Sequence, residues 1–345
     1  MSSTTQAVGA RGREWNATNI TGTALLVLAG AWVLWNFIDA PAQTLQVSIL
    51  GLCNGALYAL IALGYTLVYG IIELINFAHG DLFMLGSIFA AVMIANVFNQ
   101  ETSNPAGWIA FAVTFPLAML FCGTINVTVD QLAYRRLRTA PKLAPLITAV
   151  GVSFIFQNIG ILWNGSAPKS RNSVLPAGGP HFGSIFIPWT YLMTFALTIP
   201  LLMMLRYIVQ HTRSGKAMRA TAQDPDASRL MGINTNRTIA FTFALGGAMA
   251  GAAAIMYVQT NGTTRYDAGF QLGLIAFTAA VLGGVGNLTG AVIGGLLIGL
   301  IQGLNDGAPH GLGQEWSQSV VFTILIMLMV FRPAGILGSQ TTEKV

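Results

Sequence analysis

The chain carries very little charge. Asp, Glu, Lys and Arg together make up only 8% of its 345 residues, whereas 54% of the residues are hydrophobic. A water-soluble domain needs a more charged surface than this, so the composition predicts an integral membrane protein. The 17 Lys and Arg residues outnumber the 12 acidic residues, but they are too dispersed to form a nucleic-acid surface. We therefore expect no nucleic acid as a partner.

The motifs of membrane-embedded enzymes are also missing. The sequence contains no HExxH zinc motif, no GxSxG nucleophile turn and no GxxxxGK[ST] phosphate loop. Its two cysteines, Cys53 and Cys122, lie inside apolar runs, where buried thiols are more common than metal ligands or disulfides. We predict no catalytic site and no metal site in this chain, and no cofactor bound by it.

Long apolar runs are what the chain has in abundance. A helix needs about 20 apolar residues to cross a bilayer, and about ten segments meet this requirement. The predicted fold class is therefore all-α, a polytopic membrane protein of about ten transmembrane helices with broken or re-entrant segments. The predicted spans are residues 21–38, 44–70, 81–98, 108–130, 144–163, 186–209, 237–260, 268–285, 288–305 and 317–332.

The cationic residues predict the orientation of these spans. If the N-terminus is cytoplasmic, alternation leaves only Lys169, Arg171 and Arg265 outside. Cationic loops resist translocation, so this imbalance supports cytoplasmic N- and C-termini. A missed pair of spans would leave the orientation unchanged. The cationic residues placed inside are Arg11, Arg13, Arg135, Arg136, Arg138, Lys142, Arg206, Arg213, Lys216, Arg219, Arg229, Arg237, Arg332 and Lys344.

The first span has two interpretations. Arg11 and Arg13 precede a short apolar run that ends in the small residues of 40–42, a pattern compatible with a cleaved signal peptide. Trp32 and Trp35 near the far end of that run instead suit an interfacial anchor of a retained helix. We favour the retained helix, which makes residues 1–43 an N-terminal extension with an extra transmembrane segment.

Three classes of function compete for such a chain: a permease driven by a separate ATPase, a secondary transporter and a membrane-embedded enzyme. An ion-coupled transporter usually carries an ionisable residue within the membrane. Glu73, Asp81 and Asp130 lie at the ends of predicted spans, and this counts against ion coupling. A sodium site made of backbone carbonyls alone remains open.

Residues 214–233 predict two short cytoplasmic helices. Ser214 is suited to cap the first, and Asp224 is suited to cap a second that has Pro225 at its first position. Gly232 suits the left-handed residue that ends it. Such a pair is a docking element for an ATPase, or an amphipathic loop lying on the membrane surface.

A polar stretch, NFAHGD at 76–81, interrupts two apolar runs. Glu73, Asn76 and His79 recur every three residues, which would place them along one side of a continuing helix. Gly80 would allow a break, and Asp81 would cap the next helix. The functional interpretation is a broken helix that borders a translocation path, because irregular backbone at membrane depth needs burial or a cavity. The alternative is a cytoplasmic turn whose polar side chains satisfy helix ends.

Glycines provide further predictions. The run GGVGN at 283–287 is too rich in glycine for a stable helix interior, so a break between spans is predicted there. Elsewhere, glycines at spacing four predict close packing between helices. These are Gly51 with Gly55, Gly247 with Gly251, and the series Gly286, Gly290, Gly294, Gly295, Gly299 and Gly303.

Three long stretches resemble one family. LINFAHGDLFMLGS (74–87), RATAQDPDASRLMGINTNR (219–237) and AFTAAVLGGVGNLTGAVIGGLLIGL (276–300) are similar to the branched-chain amino acid ABC transporter permease family, in particular its LivH-type subunit. The segment Asp226-Ala227-Ser228 with Gly232 resembles the first half of the EAA loop that inserts into the ATPase, although its Ile-x-Leu-Pro part is absent. The resemblance covers about residue 45 to the terminal GILG at 335–338 and implies a permease domain at 44–338, with 339–345 as a tail.

The resemblance implies a complete import system in the bacterial inner membrane. Its other parts would be two cytoplasmic ATPase subunits that bind ATP, a second homologous permease subunit forming a heterodimer, and a periplasmic substrate-binding protein. Urea or short amides are alternative substrates, since related permeases carry them. The translocation pathway is then predicted to include Asn54, Tyr58, Glu73, Asn76, His79, Gly80, Asp81, Gly283, Gly284 and Gly286. The predicted ATPase-coupling residues are Gly215, Lys216, Met218, Arg219, Ala222, Asp224, Asp226, Ala227, Ser228, Leu230 and Gly232.

Overall fold

The structure is a computed structural model. It describes residues 17–73, 76–138, 140–141, 143–176, 178–332 and 334–338. The predictions on Arg11, Arg13, Lys142, Lys344 and the tail at 339–345 lie outside the described residues.

The described residues are predominantly helical. The α-helices are α1 (Ala17–Asp39), α2 (Pro41–Ile72), α3 (Ala78–Val92), α4 (Pro105–Val129), α5 (Leu143–Asn164), α6 (Trp189–His211), α7 (Arg213–Gln223), α8 (Pro225–Leu230), α9 (Thr235–Asn261), α10 (Ala268–Gly283), α11 (Leu288–Gly307) and α12 (Ser317–Phe331). Short strands are β1 (Lys169–Ser170), β2 (His181–Phe182), β3 (Ile185–Phe186) and β4 (Thr263–Thr264).

Two helices continue through irregular turns. Met93–Val97 extends α3 as a π-helical turn. Asp130–Tyr134 extends α4 in the same way and is followed by a 3₁₀ turn at Arg135–Leu137. A second 3₁₀ turn, Gln314–Trp316, precedes α12.

The helices match the predicted spans. Within the described residues, 8 helical segments are long and apolar enough to cross a membrane, and Val27–Asp39 and α10 are shorter apolar segments. Each predicted span therefore coincides with a helix, and the all-α polytopic fold class is confirmed. Four apolar helices begin several residues earlier than predicted: α1 at Ala17, α2 at Pro41, α3 at Ala78 and α4 at Pro105.

Three helices form the core. In α2, α3 and α9, 72% of the most apolar stretch is buried inside the protein, compared with 17% in α6 and 11% in the segment of α12. The peripheral helices nevertheless remain apolar outside, because a surface facing lipid needs no polar groups. The core thus consists of α9 and the two helices that flank the predicted break at 76–81.

Glycine determines how closely these helices approach. A Cβ added at Gly55 of α2 would lie 2.8 Å from the carbonyl oxygen of Gly295 on α11. On α9, a Cβ at Gly247 would lie 2.8 Å from Cβ of Asn126 on α4. No side chain fits at such separations, so the spaced glycines within helices serve helix packing, as predicted. Gly286 is the exception, because it lies before the start of α11 at Leu288.

The packing pairs the two halves of the chain. α2 packs against α11, while α9 packs against α4; α2 also contacts α9, and α3 contacts α10. Each of the long helices α2 and α9 is followed by a short connection and a shorter helix, α3 or α10. These contacts are preserved when α2, α3 and α4 are exchanged with α9, α10 and α11, as in an internal repeat. The sequence showed only a weak parallel between 51–80 and 247–286.

The connections separate into two ends of the bundle. At one end β1, after α5, pairs antiparallel with β4, after α9, with Lys169 opposite Thr264. β2 and β3 form a hairpin in the same α5–α6 connection. α6 then crosses back, so that α7 and α8 lie at the opposite end, where α4 ends and α9 begins. The strand end carries Lys169, Arg171 and Arg265, the three cations predicted to lie outside.

Candidate translocation site and coupling surface

The chain breaks between α2 and α3. Glu73 ends α2 in the left-handed conformation, with φ 52°, and its N–H donates to the Tyr69 carbonyl at 2.8 Å. Asn76 then organises the start of α3, because its Oδ1 accepts the Ala78 N–H at 3.1 Å and its carbonyl accepts the His79 N–H at 3.1 Å. Asn76 is therefore a structural element of the break, as the turn interpretation proposed.

Three details of the predicted break are wrong. Glu73, Asn76 and His79 do not share one helix face, because α2 ends at Ile72 and α3 begins only at Ala78. Gly80 lies within α3 and not at a break. The reason is packing: a Cβ at Gly80 would lie 2.7 Å from Cα of Gly273 on α10, so this glycine lets two helices touch.

Asp81 does not cap α3. Within the described residues, the N-cap residue Phe77 makes no side-chain cap hydrogen bond, and Asp81 is fully buried within the first turn of α3. Its Oδ2 accepts a short hydrogen bond from the Ser153 hydroxyl, and both oxygens accept from Gln157 Nε2 at 3.3 Å. The carboxylate therefore joins α3 to α5 inside the protein. The sequence had indicated only that Asp81 lies at the end of a span.

His79 is buried without an ordinary hydrogen-bond partner. Its ring packs edge-on against Tyr65, with 4.8 Å between ring centroids, and 1% of the residue is exposed. Neither ring nitrogen makes a hydrogen bond of ordinary geometry within the described residues, although the Ile61 carbonyl lies near the ring. Native proteins pair nearly all such groups, so this imidazole is a candidate binding group.

The second predicted break is present and lies near the first. α10 ends at Gly283 and α11 begins at Leu288, while Gly284 and Gly286 have φ values of 107° and 87°. A Cβ at Gly70, near the end of α2, would lie 3.4 Å from Cα of Gly286. The second break therefore lies next to the end of α2, where the first break begins.

The C-terminal GILG segment closes over the second break. The Ile336 N–H donates to the Leu282 carbonyl at 2.8 Å, and the Leu337 N–H donates to the Gly283 carbonyl at 3.0 Å. Asn287 Nδ2 in turn donates to the Leu337 carbonyl at 2.9 Å. These bonds satisfy carbonyls at the end of α10 that have no partner within the helix.

Asn54 and Tyr58 lie elsewhere on α2. The Tyr58 hydroxyl donates to Gln302 Oε1 on α11 at 2.8 Å, and Asn54 is half-buried one turn away. Fourteen helical residues separate Tyr58 from Ile72, which is about 21 Å along the axis. The predicted pathway residues therefore form two groups. Asn54 and Tyr58 lie on α2 far from the breaks, whereas the remaining residues lie at the breaks or next to them.

The predicted pair of short helices is confirmed. α7 and α8 bend at Asp224, whose Oδ1 accepts the N–H groups of Asp226 and Ala227 at 2.9 Å each. Gly232 follows with φ 83°. The cap of α7 was predicted wrongly: the Thr212 hydroxyl, and not Ser214, accepts the Gly215 N–H at 3.1 Å, because the helix begins at Arg213, two residues earlier than a Ser214 cap implies.

α7 and α8 have different surroundings. Met218 of α7 is buried against the core, and α7 contacts α2, α6 and α9. α8 projects outward, with Leu230 89% exposed and Met231 after it 83% exposed. Of the predicted coupling residues, Gly215, Met218 and Ser228 are buried, Ala222 is half-buried, and the exposed members are Lys216, Arg219, Asp224, Asp226, Ala227, Leu230 and Gly232.

Sequence reasoning missed a set of buried polar partners. Tyr134, in the π-helical turn after α4, donates its hydroxyl to Asn76 Oδ1 at 2.9 Å. Asp130, at the start of that turn, is paired with Arg138 at 2.5 Å. The sequence shows Asp130 and Tyr134 before a cluster of arginines, but only tertiary packing reveals that Tyr134 contacts the α2–α3 break and that Asp130 pairs with Arg138.

The chain matches one family model over most of its length. Residues 48–330 match the model described as branched-chain amino acid transport system / permease component. The chain is similar to the high-affinity branched-chain amino acid transport system permease protein BraD of Pseudomonas aeruginosa, with 36% identity over 87% of this chain and 98% of that protein.

Two further groups of relatives match. LivH of Escherichia coli K12, a permease protein of the same kind of system, is 37% identical over 87% of this chain and 97% of its own length. An autoinducer 2 import system permease protein, LsrD of Escherichia coli, is 27% identical over 73% of this chain. No solved structure matches. The chain therefore belongs to the family of permease components of branched-chain amino acid transport systems.

Proposed function

We propose that the chain is the transmembrane permease subunit of an ATP-binding cassette importer that takes up branched-chain amino acids, while separate cytoplasmic subunits hydrolyse ATP. The substrate class rests on the relatives, whose names specify branched-chain amino acid transport. The observation that carries the mechanism is the exposed helix pair α7–α8. This pair lies beside α2, which ends at the first break.

The chemistry of α8 favours a protein partner. Leu230 and Met231 form an exposed apolar pair next to Asp226 and Arg229, which are themselves paired at 2.9 Å. An apolar centre with a charged rim is typical of a protein interface. A loop lying on lipid would instead turn a continuous apolar face toward the bilayer, and α8 is only 6 residues long.

The proposed assembly has several other parts. Two ATPase subunits would each receive a coupling element, one from this chain and one from a second homologous permease subunit, and a periplasmic binding protein would deliver the amino acid. ATP binds only to the partner subunits in this proposal, and this chain binds no cofactor. The proposed location is the bacterial inner membrane with both termini cytoplasmic, which agrees with the separation of cations between the two ends of the bundle.

The proposed pathway passes the α2–α3 break. A zwitterionic amino acid in a low-dielectric passage needs partners for its ammonium and carboxylate groups. His79 supplies two ring nitrogens that have no ordinary hydrogen bond within the described residues. A neutral imidazole would hold the carboxylate weakly enough to release it, whereas a fixed cation would retain it.

One observation favours ion-coupled transport as a second candidate. Asp81 is a fully buried carboxylate that accepts hydrogen bonds from the neutral side chains of Ser153 and Gln157. Intramembrane carboxylates of this kind commonly bind a proton or a cation in transporters. This candidate predicts uptake that is driven by an ion gradient and is independent of the ATPase.

Reconstitution distinguishes the two candidates. The chain would be purified with its ATPase, second permease subunit and binding protein, placed in liposomes, and assayed for uptake of labelled leucine, isoleucine and valine. We expect uptake only with ATP on the ATPase side, and competition by these amino acids but not by urea or short amides. Uptake without ATP that collapses with an ionophore would support ion coupling, and competition by urea or amides would overturn the proposed substrate class.

A further inference from the structure

The π-helical turn after α4 faces the α2–α3 break. Tyr134 is 1% exposed, its hydroxyl donates to Asn76 Oδ1 at 2.9 Å, and its ring packs 5.7 Å from that of Phe243 on α9. Asn76 uses the same oxygen to accept the Ala78 N–H. Any displacement of Tyr134 therefore acts directly on the first turn of α3, one residue before His79.

The same turn is anchored to the start of α9. Asp130 is 1% exposed and its Oδ1 is 2.5 Å from Arg138 NH2, while Arg138 NH1 donates to Asn236 Oδ1 at 2.8 Å. Arg138 Nε is buried and has no hydrogen-bond partner within the described residues. The guanidinium thus connects the end of α4 to the first turn of α9.

The start of α9 is hydrogen-bonded to the α7–α8 helix pair. Arg229 of α8 donates through Nε to the Thr235 hydroxyl at 3.0 Å and through NH1 to Asp226 at 2.9 Å. Thr235 is the first residue of α9 and Asn236 is the second. Side-chain contacts therefore link α8 to the start of α9, the start of α9 to the π-helical turn, and that turn to Asn76, while the backbone of α9 and of the turn joins one contact to the next.

We propose that residues 130–138 form a transmission segment, which passes movements between the α7–α8 helix pair and the α2–α3 break. Tyr134, Asp130 and Arg138 act as positioning residues, and none of them needs to touch the transported amino acid. This inference rests on the proposed function, because it requires an ATPase that moves α8.

The physical basis is the π-helical turn itself. A π turn holds one residue more than an α turn, and such turns are frequent at functional sites. If the π-helical turn changed to α geometry, the residues that follow it would rotate without breaking the helix. In this proposal the change between π and α geometry is the two-state element that both ends bias.

The test removes one oxygen. Tyr134→Phe keeps the ring against Phe243 but deletes the bond to Asn76, and Tyr207→Phe is the matched control, because Tyr207 is 63% exposed on α6. In the reconstituted complex we expect Tyr134→Phe to lower the amino acid imported per ATP hydrolysed by at least about fivefold, the lower end of usual coupling between sites. Co-purification of the ATPase and basal hydrolysis should stay at the wild-type level.

A second variant tests the other end. Arg138→Gln breaks the contacts to Asp130 and Asn236, and the double variant with Tyr134→Phe should lose no more coupling than the more affected single variant, because both act in one segment. Additive losses, or a parallel fall in basal hydrolysis and ATPase binding, would overturn the proposal. Wild-type transport per ATP in Tyr134→Phe would overturn it as well, whereas absent uptake by the wild-type complex would refute the proposed function instead.

Discussion

The imidazole of His79 occupies the space beside Gly64 on α2. A Cβ added at Gly64 would lie 2.6 Å from His79 Cε1 and 2.9 Å from the Gly246 carbonyl oxygen on α9. The absence of a side chain at Gly64 is therefore what allows α3 to bring His79 into the core between α2 and α9. Gly64 was not among the residues predicted from the sequence.

Gly64→Ala should displace His79 and lower uptake. If the imidazole binds the substrate carboxylate, we expect a loss of at least about tenfold in transport, which corresponds to about 1.4 kcal/mol. Gly151→Ala on α5 is the matched control, since no atom of the described residues lies within 4 Å of a Cβ there. Uptake measured at equal membrane expression checks the expectation, and equal activity of the two variants would contradict it.

The double variant Asn76→Ala/His79→Ala should lose transport and keep its partners. Asn76 holds the first turn of α3 and His79 follows it, so both the shape of the break and the candidate binding group are removed. The ATPase should still co-purify, because α7 and α8 are untouched. Normal uptake by this variant would reduce the stretch at 76–81 to a structural turn.

Ala227→Trp and Gly232→Val should impair ATPase docking without preventing membrane insertion. Ala227 is exposed on α8, and Gly232 has φ 83°, a conformation that a β-branched residue adopts only with strain. Gly183→Val is the matched control: φ is 65° at Gly183 and, in the part of the chain that the structure describes, nothing lies within 4 Å of a Cβ there, but Gly183 lies in the β2–β3 hairpin. Co-purification of the ATPase and substrate-stimulated hydrolysis would both persist if this surface were not the coupling element.

Cysteine labelling should place the two ends of the bundle on opposite sides of the membrane. In a variant lacking Cys53 and Cys122, a cysteine at the exposed Ser170 in β1 should react with an impermeant reagent from outside. A cysteine at Ser214 should react only from inside. Ser214 is preferable to Thr212, because the Thr212 hydroxyl caps α7. Labelling of both from one side would reverse the assignment of the coupling surface.

The mature protein should retain α1. Asn36 is fully buried, and its Oδ1 accepts the His310 N–H at 3.0 Å, while the Thr44 hydroxyl donates to the Asn36 carbonyl at 2.8 Å. Intact mass of the purified chain should include residues before Ala40. Asn36→Ala should lower the free energy of unfolding by about 1–3 kcal/mol, since the His310 N–H loses its partner. A mass beginning after residue 40 would establish the signal-peptide alternative.

The class and much of the architecture follow from the sequence alone. Ten apolar segments become ten helices, because in a bilayer every backbone polar group must be satisfied within its own segment. The bend at Asp224-Pro225 and the glycine break at 283–287 were also predictable, since capping side chains and left-handed glycines act over a few neighbouring residues.

Tertiary structure alone decided the partners of the polar residues. Asp81 bonds to Ser153, Tyr134 bonds to Asn76 and Asp130 pairs with Arg138. Two of these contacts join residues far apart in sequence, and the third depends on the π-helical turn between Asp130 and Tyr134. A sequence lists donors and acceptors, but burial in a low-dielectric core determines which of them must meet, because only there does an unpaired group cost enough to select one arrangement.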